Sequence, residues 1–377
     1  MQSAPLIRRD MPELDSIRGI AILGVVFLHG LSFDRDISVF PLMQRRILSF
    51  IGLGQFGVTL FFVLSGFLIT GLLFEARARP GYYKRFYLRR ALRILPLYYL
   101  ILVILAVTRL ASPSFLLISF LYSANLSQIF GVKMSYGVLW SLGVEEHFYL
   151  AWPAAVRRIS PQKLIYVTAG IIAASPVLRL LCYLRNVKTG FVGSDCAFYT
   201  WNAADGLACG ALLSLFLRAF NLGRRWLLMA SLGLFLSAAL VTVAGLPFGI
   251  LSRSTAVGAA LQTVPANFFS AGLLGSFLLV GTGKWKALVT PWILRFFGRI
   301  SYGLYLIHPL CILWVPPLLH RFAPSLFAGV TLWRAIWLAF VPSLFAAVAI
   351  SYLSRRFFEE PFLRLKDKLS GPAPSTN

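Results

Sequence analysis

Ten stretches of this chain are apolar for close to the length a helix needs to cross a bilayer, roughly 20 residues. They cover about 14–33, 48–74, 94–110, 138–156, 164–184, 205–219, 226–246, 255–281, 298–319 and 331–354. Lipid gives backbone N–H and C=O groups no water to bond, so each stretch must satisfy them within itself, as a helix does. The composition agrees: 58% of residues are apolar and 13% charged, against about 25% charged in a soluble globule. The expected fold is therefore an all-α polytopic membrane protein with about ten transmembrane helices. Residues 1–369 form one domain in this reading, and the Pro- and Ser-rich tail 370–377 is disordered. Arg8 and Arg9 precede the first span as in a secretory signal, but Asp15, Arg18 and His29 inside it argue against a cleaved segment.

A net charge of +23 is of the size that attracts nucleic acid. Here Lys and Arg sit in short clusters between apolar runs, so we expect no nucleic-acid partner and read them as orientation signals and anion sites. With the N-terminus inside, 24 basic residues fall in inner segments and 11 in outer ones, with Arg18 inside a span. That bias places both termini in the cytoplasm. Ser114–Phe130 is apolar but interrupted by Ser119, Ser123, Asn125 and Ser127, and is expected as a re-entrant or interfacial outer segment. Residues 191–201 read as a polar outer loop. Cys182, Cys196, Cys209 and Cys311 lack paired spacing and are expected as free thiols, Cys196 exposed; nothing in their spacing suggests a metal.

Ionisable residues within spans cost on the order of 2.5–3.5 kcal/mol and usually mark a functional cavity. Arg18 and His29 are eleven residues apart, so at 100° per residue they share a helix face about 16 Å apart. The plainer alternatives are an arginine snorkelling to headgroups and a structural histidine. A second signal is the run Lys84 to Arg93, where Arg90 and Arg93 are helix neighbours and with Arg89 make a fork suited to phosphate; seven basic residues in positions 77–93 exceed what orientation requires. A third is Glu145-Glu146-His147, where adjacent carboxylates differ by 100° and cannot share a face. One is expected to enter the cavity and the other to pair with an arginine. Asp205-Gly206 opens the sixth span and is either a site residue or a helix cap. His308 is read as an outer-interface histidine, Ser65-Gly66 as a close-packing step, and Glu359-Glu360 as an exposed, salt-bridged end.

Taken in order, these blocks resemble the acyltransferase-3 family of integral membrane O-acyltransferases. They are Leu14 to His29, Gly57 to Thr70, Leu88 to Tyr99, Leu139 to Pro153, Asp205-Gly206, Gly298 to Pro309 and Arg355 to Phe362, spanning residues 12–365. The resemblance implies a multi-pass protein of the inner (cytoplasmic) membrane. The same resemblance implies transfer of an acyl group, commonly acetyl, from cytoplasmic acyl-coenzyme A to a hydroxyl of an envelope polysaccharide or glycolipid. Acyl-coenzyme A is a donor substrate here, not a permanently bound cofactor. The family's Arg-x10-His motif falls on Arg18 and His29, its Arg-x-x-Arg motif on Arg90 and Arg93, and its intramembrane carboxylate on Glu145. Where this chain has His147, members usually carry glutamine. Some members add a C-terminal periplasmic hydrolase-like domain; this chain ends sooner, so such an activity is expected in trans.

The roles expected are these. His29 is the general base or the acyl acceptor, and Glu145 orients its imidazole. Arg89, Arg90 and Arg93 hold the coenzyme phosphates. Arg18, Glu146, His147 and Asp205 contact substrate. Two other readings stay open: a small hydroxylated metabolite or lipid as acceptor, and a flippase or transporter for a lipid-linked sugar. Against the last, the two halves show no matched interrupted helices.

Overall fold

A computed structural model of the protein describes residues 6–8, 10–32, 35–189, 196–220 and 222–370. Residues 371–377 of the tail expected to be disordered, residues 191–195 of the polar outer loop, Arg9 and Phe33 lie outside the described residues, while Ser370 ends the last helix. No strand occurs among those described. The helices are α1 (Pro12–Phe27), α2 (Leu42–Gly52), α3 (Phe56–Ala76), α4 (Tyr82–Val107), α5 (Pro113–Phe120), α6 (Leu139–Arg158), α7 (Pro161–Thr189) and α8 (Thr200–Ala219). They continue with α9 (Arg224–Gly245), α10 (Ala256–Leu261), α11 (Thr263–Gly281), α12 (Lys286–Val289), α13 (Trp292–Phe322), α14 (Leu332–Leu353) and α15 (Glu360–Ser370).

Among the described residues, eight helical segments are long and apolar enough to cross a membrane. The two expected spans outside that set are α6 and α8, each 20 residues long. They carry Glu145, Glu146, His147, Asp205 and Arg218. The reason α8 tolerates polarity is its surroundings: 13 of its residues are buried inside the protein, against four in α9. A helix enclosed by protein needs no apolar surface for lipid. The stretch after α4 is short pieces only, α5 and a 3-10 turn at Ala124–Leu126.

The chain divides into two compact units. One comprises Met1–Leu14, Thr59–Tyr83 and Leu105–Pro291; the other comprises Asp15–Val58, Lys84–Ile104 and Trp292–Asn377. In the first unit α8 packs against α7, α6 and α11, and α9 packs against α11. Within it α3 meets α8 at bare backbone: a Cβ on Gly66 would lie 1.9 Å from the Leu207 carbonyl oxygen, and one on Gly210 would lie 1.8 Å from that of Val63. Small residues allow this approach where no hydrophobic effect drives helices together.

Cys182 and Cys196 form a disulfide that ties α7 to the turn before α8, which corrects the expectation of free thiols. The pairing was illegible because the two half-cystines lie 14 residues apart with no motif around them; Cys209 and Cys311 are free and buried.

In the second unit α13 packs against α14, and α1 runs alongside α13. A Cβ on Gly19 would lie 2.1 Å from the Leu294 carbonyl oxygen, and one on Gly298 would lie 1.9 Å from that of Asp15. Each glycine meets the carbonyl four residues before the other glycine, and His29 meets His308 at the same sequence offset, 279, that separates the glycines. The helices therefore run parallel with their backbones touching. Tyr302 of α13 donates to the Ile94 carbonyl of α4 at 2.7 Å, so the arginine-bearing helix joins the same unit.

Gly298→Ala is expected to force α1 and α13 apart, because the obstructing atoms are backbone, and to cost about 1–3 kcal/mol as overpacking does. A lowered melting temperature in detergent checks it. Gly170→Ala in α7, where a Cβ meets nothing within 4 Å, is the control. Equal melting temperatures for the two variants would show that no such contact exists.

Candidate active site

The parallel register of α1 and α13 continues to the histidines. Each contact glycine is followed ten residues later by a histidine, His29 and His308, which is about 15 Å further along each helix. The two imidazoles meet with His308 Nε2 3.2 Å from His29 Nδ1 and ring centroids 5.1 Å apart. His29 sits in a π turn, Leu28–Ser32, that ends the first span; such turns recur at functional sites. Its Nδ1 also lies 3.0 Å from the Val25 carbonyl oxygen. His308 Nδ1 lies 2.8 Å from the Leu304 carbonyl oxygen. Phe340 of α14 closes over the π turn, where a Cβ on Gly30 would lie 2.1 Å from its ring.

His308 is thus no interface residue. It is 0% exposed, and this corrects the outer-interface reading. Sequence reasoning underrated it because one His-Pro step near a span's end resembles an interfacial anchor. The available signal was the repeated glycine-to-histidine spacing, but spacing does not say which two helices pair.

Arg18, the other member of the motif, bonds Asp15 one turn earlier on α1, so its charge is already compensated on its own helix. Arg89, Arg90 and Arg93 fall in the helical start of α4, twelve residues ahead of the predicted span, and not in a loop. Arg89 and Arg90 are half-buried and Arg93 is exposed. Glu359, expected at an exposed end, is 7% exposed in a π turn, Ser354–Glu359. It accepts from Ser354 Oγ at 3.3 Å, pairs with Arg355 at 3.9 Å, and packs over Gly303, where a Cβ would lie 3.2 Å from Oε1. His29, Arg18 and the α4 arginines all belong to this unit.

Glu145, Glu146, His147 and Asp205 belong to the other unit. There Glu145, Glu146 and His147 are half-buried on α6. His147 Nδ1 lies 2.6 Å from Thr200 Oγ1, and that hydroxyl accepts from Asn125 Nδ2 at 2.9 Å. Thr200 therefore joins the interrupted outer segment, α6 and the first residue of α8. Asp205 is not a helix cap: it lies inside α8, whose N-cap is Tyr199. Its Oδ2 accepts from Arg179 NH1 at 2.9 Å, and both residues are 2% exposed. Arg179 also donates to the carbonyls of Asn202 and Ala260. Arg179 is a buried partner within α7 and not an outer-segment charge. Removing one member of such a pair leaves the other charge unpaired, so Asp205 has a structural duty that the sequence did not reveal.

Known proteins similar to this chain include ones named as O-acetyltransferases. A peptidoglycan O-acetyltransferase, OatA, of Listeria monocytogenes is 27% identical over 388 residues, covering 94% of this chain and 56% of the relative. An O-acetyltransferase OatA of Staphylococcus aureus is 29% identical over 179 residues, 42% of this chain and 27% of the relative. A putative O-acetyltransferase of the same species is 30% identical over 164 residues, 38% of this chain and 24% of the relative. The chain therefore spans little more than half the length of the Listeria relative and about a quarter of the staphylococcal ones. No solved structure matches it significantly. The family profile described as an acyltransferase domain matches residues 11–356, which include His29, His308, the α4 arginines, Glu145 and Asp205, and the chain belongs to this acyltransferase-3 family.

Proposed function

We propose that the chain is an inner-membrane O-acyltransferase that moves acetyl from cytoplasmic acetyl-coenzyme A to a hydroxyl of a cell-envelope glycan. The observation that carries this reading is the imidazole pair held inside an apolar helix packing, in a unit that also bears the three α4 arginines. Relatives named as O-acetyltransferases, one of them for peptidoglycan, support the choice of acyl group and acceptor class.

Thioester-to-hydroxyl transfer needs a group to take the alcohol's proton, an anchor for an anionic donor and exclusion of water. His29 takes the proton, an effect typically worth about 10²–10⁴-fold. In a two-step route the same imidazole carries the acetyl group before the alcohol receives it. Arg89, Arg90 and Arg93 hold the donor's phosphates, where guanidinium gives paired bonds. Glu145, Glu146, His147 and Thr200, all in the other unit, offer carboxylate, imidazole and hydroxyl groups suited to sugar hydroxyls. Arg18 lies nearer the donor end of α1 than His29 and guides the thioester arm.

Orientation has two independent supports. The basic residues favour cytoplasmic termini. The Cys182–Cys196 disulfide falls in the segment which that orientation places outside, where disulfides persist.

Membranes given labelled acetyl-coenzyme A are expected to pass label to glycan, and His29→Ala to abolish the transfer while still inserting; label reaching only a small molecule, or an active variant, would refute the assignment. Arg90→Ala is expected to raise the apparent KM for acetyl-coenzyme A about tenfold, the worth of one charge-assisted contact; an unchanged KM removes it from the donor site. After reduction, Cys182, the less buried of the pair, should react with an impermeant maleimide in intact spheroplasts, and reaction only in inverted vesicles would reverse the orientation.

A further inference from the structure

We propose that His308 is a positioning residue that fixes the proton arrangement of His29 and makes Nε2 its reacting nitrogen, an inference that rests on the acyltransferase reading above. The argument begins at the Leu304 carbonyl. A carbonyl oxygen only accepts, and it lies 2.8 Å from His308 Nδ1, so that nitrogen carries the hydrogen. A neutral imidazole has one N–H, which leaves His308 Nε2 with a lone pair. That lone pair faces His29 Nδ1 at 3.2 Å, and the Val25 carbonyl faces the same nitrogen at 3.0 Å. These two contacts are both with acceptors, so Nδ1 is the donor to them. Neutral His29 then keeps its lone pair on Nε2.

The hydrogen bonds therefore run one way: His29 Nδ1–H to His308 Nε2, and His308 Nδ1–H to the Leu304 carbonyl. The opposite tautomer of His308 would set a lone pair against the Leu304 oxygen, and a doubly protonated His308 would set N–H against N–H at His29. Because His308 is 0% exposed, bulk water does not compete for its nitrogens. Its ring comes from α13 and is held by the Gly19–Gly298 register, so it orients the His29 imidazole from outside that residue's own helix.

This arrangement suits the reaction. As the acceptor O–H proton passes to His29 Nε2, the hydroxyl oxygen bonds the acetyl carbonyl carbon. The carbon–sulfur bond breaks with its electron pair leaving on sulfur, and the Nε2 proton then goes to that thiolate. The positive charge on His29 in between is stabilised through Nδ1–H by His308, the duty a carboxylate performs in a serine-hydrolase triad. An imidazole performs it without placing another net charge in a water-poor interior, where an ion carries a large desolvation cost.

Two measurements test the assignment on the full chain in nanodiscs. The chain has four histidines, so 15N-histidine spectra, assigned by the signal lost in His29→Asn, read the tautomer directly. The Nδ1–H form of His29 is expected in the wild type, and an Nε2–H form would overturn the proposal. In steady-state assays His308→Leu is expected to lower kcat roughly 10- to 100-fold, as loss of an orienting partner does, with KM for acetyl-coenzyme A little changed. His308→Gln, which returns an acceptor near the place of Nε2, should recover part of that loss. An unchanged kcat in His308→Leu would sink the idea; if that variant fails to insert, the wild-type tautomer decides. Transfer surviving His29→Ala would strike the acyltransferase role of His29 instead, and the spectra would still report the tautomer.

Discussion

Two helices separated by most of the chain touch backbone to backbone, and the candidate chemistry depends on that contact. Glycine at positions 19 and 298 removes the side chains that would hold α1 and α13 apart. In lipid no hydrophobic effect presses helices together, so close van der Waals approach must supply the association. Parallel packing then carries one register forward, and two imidazoles that lie 279 residues apart in sequence arrive at 3.2 Å. A side chain at either glycine would disturb the histidines without touching them.

The same economy governs the other polar residues. Each intramembrane charge described in detail has a nearby partner: Arg18 has Asp15, Arg179 has Asp205, and Arg218 has Glu75. The helices richest in polar groups, α6 and α8, are sheltered by protein, whereas α9 and α14 are not. Polarity and burial thus rise together, the reverse of a soluble protein. A solvent of hydrocarbon makes the protein interior the better place for a charge or amide, provided a partner waits there. The Thr200 hub follows this rule, with Asn125 and His147 bonding one hydroxyl.

Most of the fold was legible in the chain because a span is a local property. Length and apolarity located most of the long helices to within about five residues; α3 begins eight residues after its expected start, α13 six before, and α4 twelve before, where its basic start continues the helix ahead of its apolar part. They also marked the interrupted stretch near Asn125. Arg18 and His29 stood out as costly residues in a span, and the α4 arginines as an excess of charge. What failed were judgements of environment. His308 and Glu359 read as surface residues and are buried; Asp205, which reads as a helix cap in one alternative, is half of a buried ion pair; Cys182 and Cys196 read as thiols and are joined.

Sequence alone determined that this is a helical, multi-pass protein and which ionisable residues would be expensive to bury, because helix formation and transfer cost depend on a residue and its near neighbours. Tertiary structure decided the partners. Whether a histidine serves at the membrane edge or against another imidazole depends on which helix lies beside it. That choice follows from glycine contacts between segments hundreds of residues apart, and no local pattern records it.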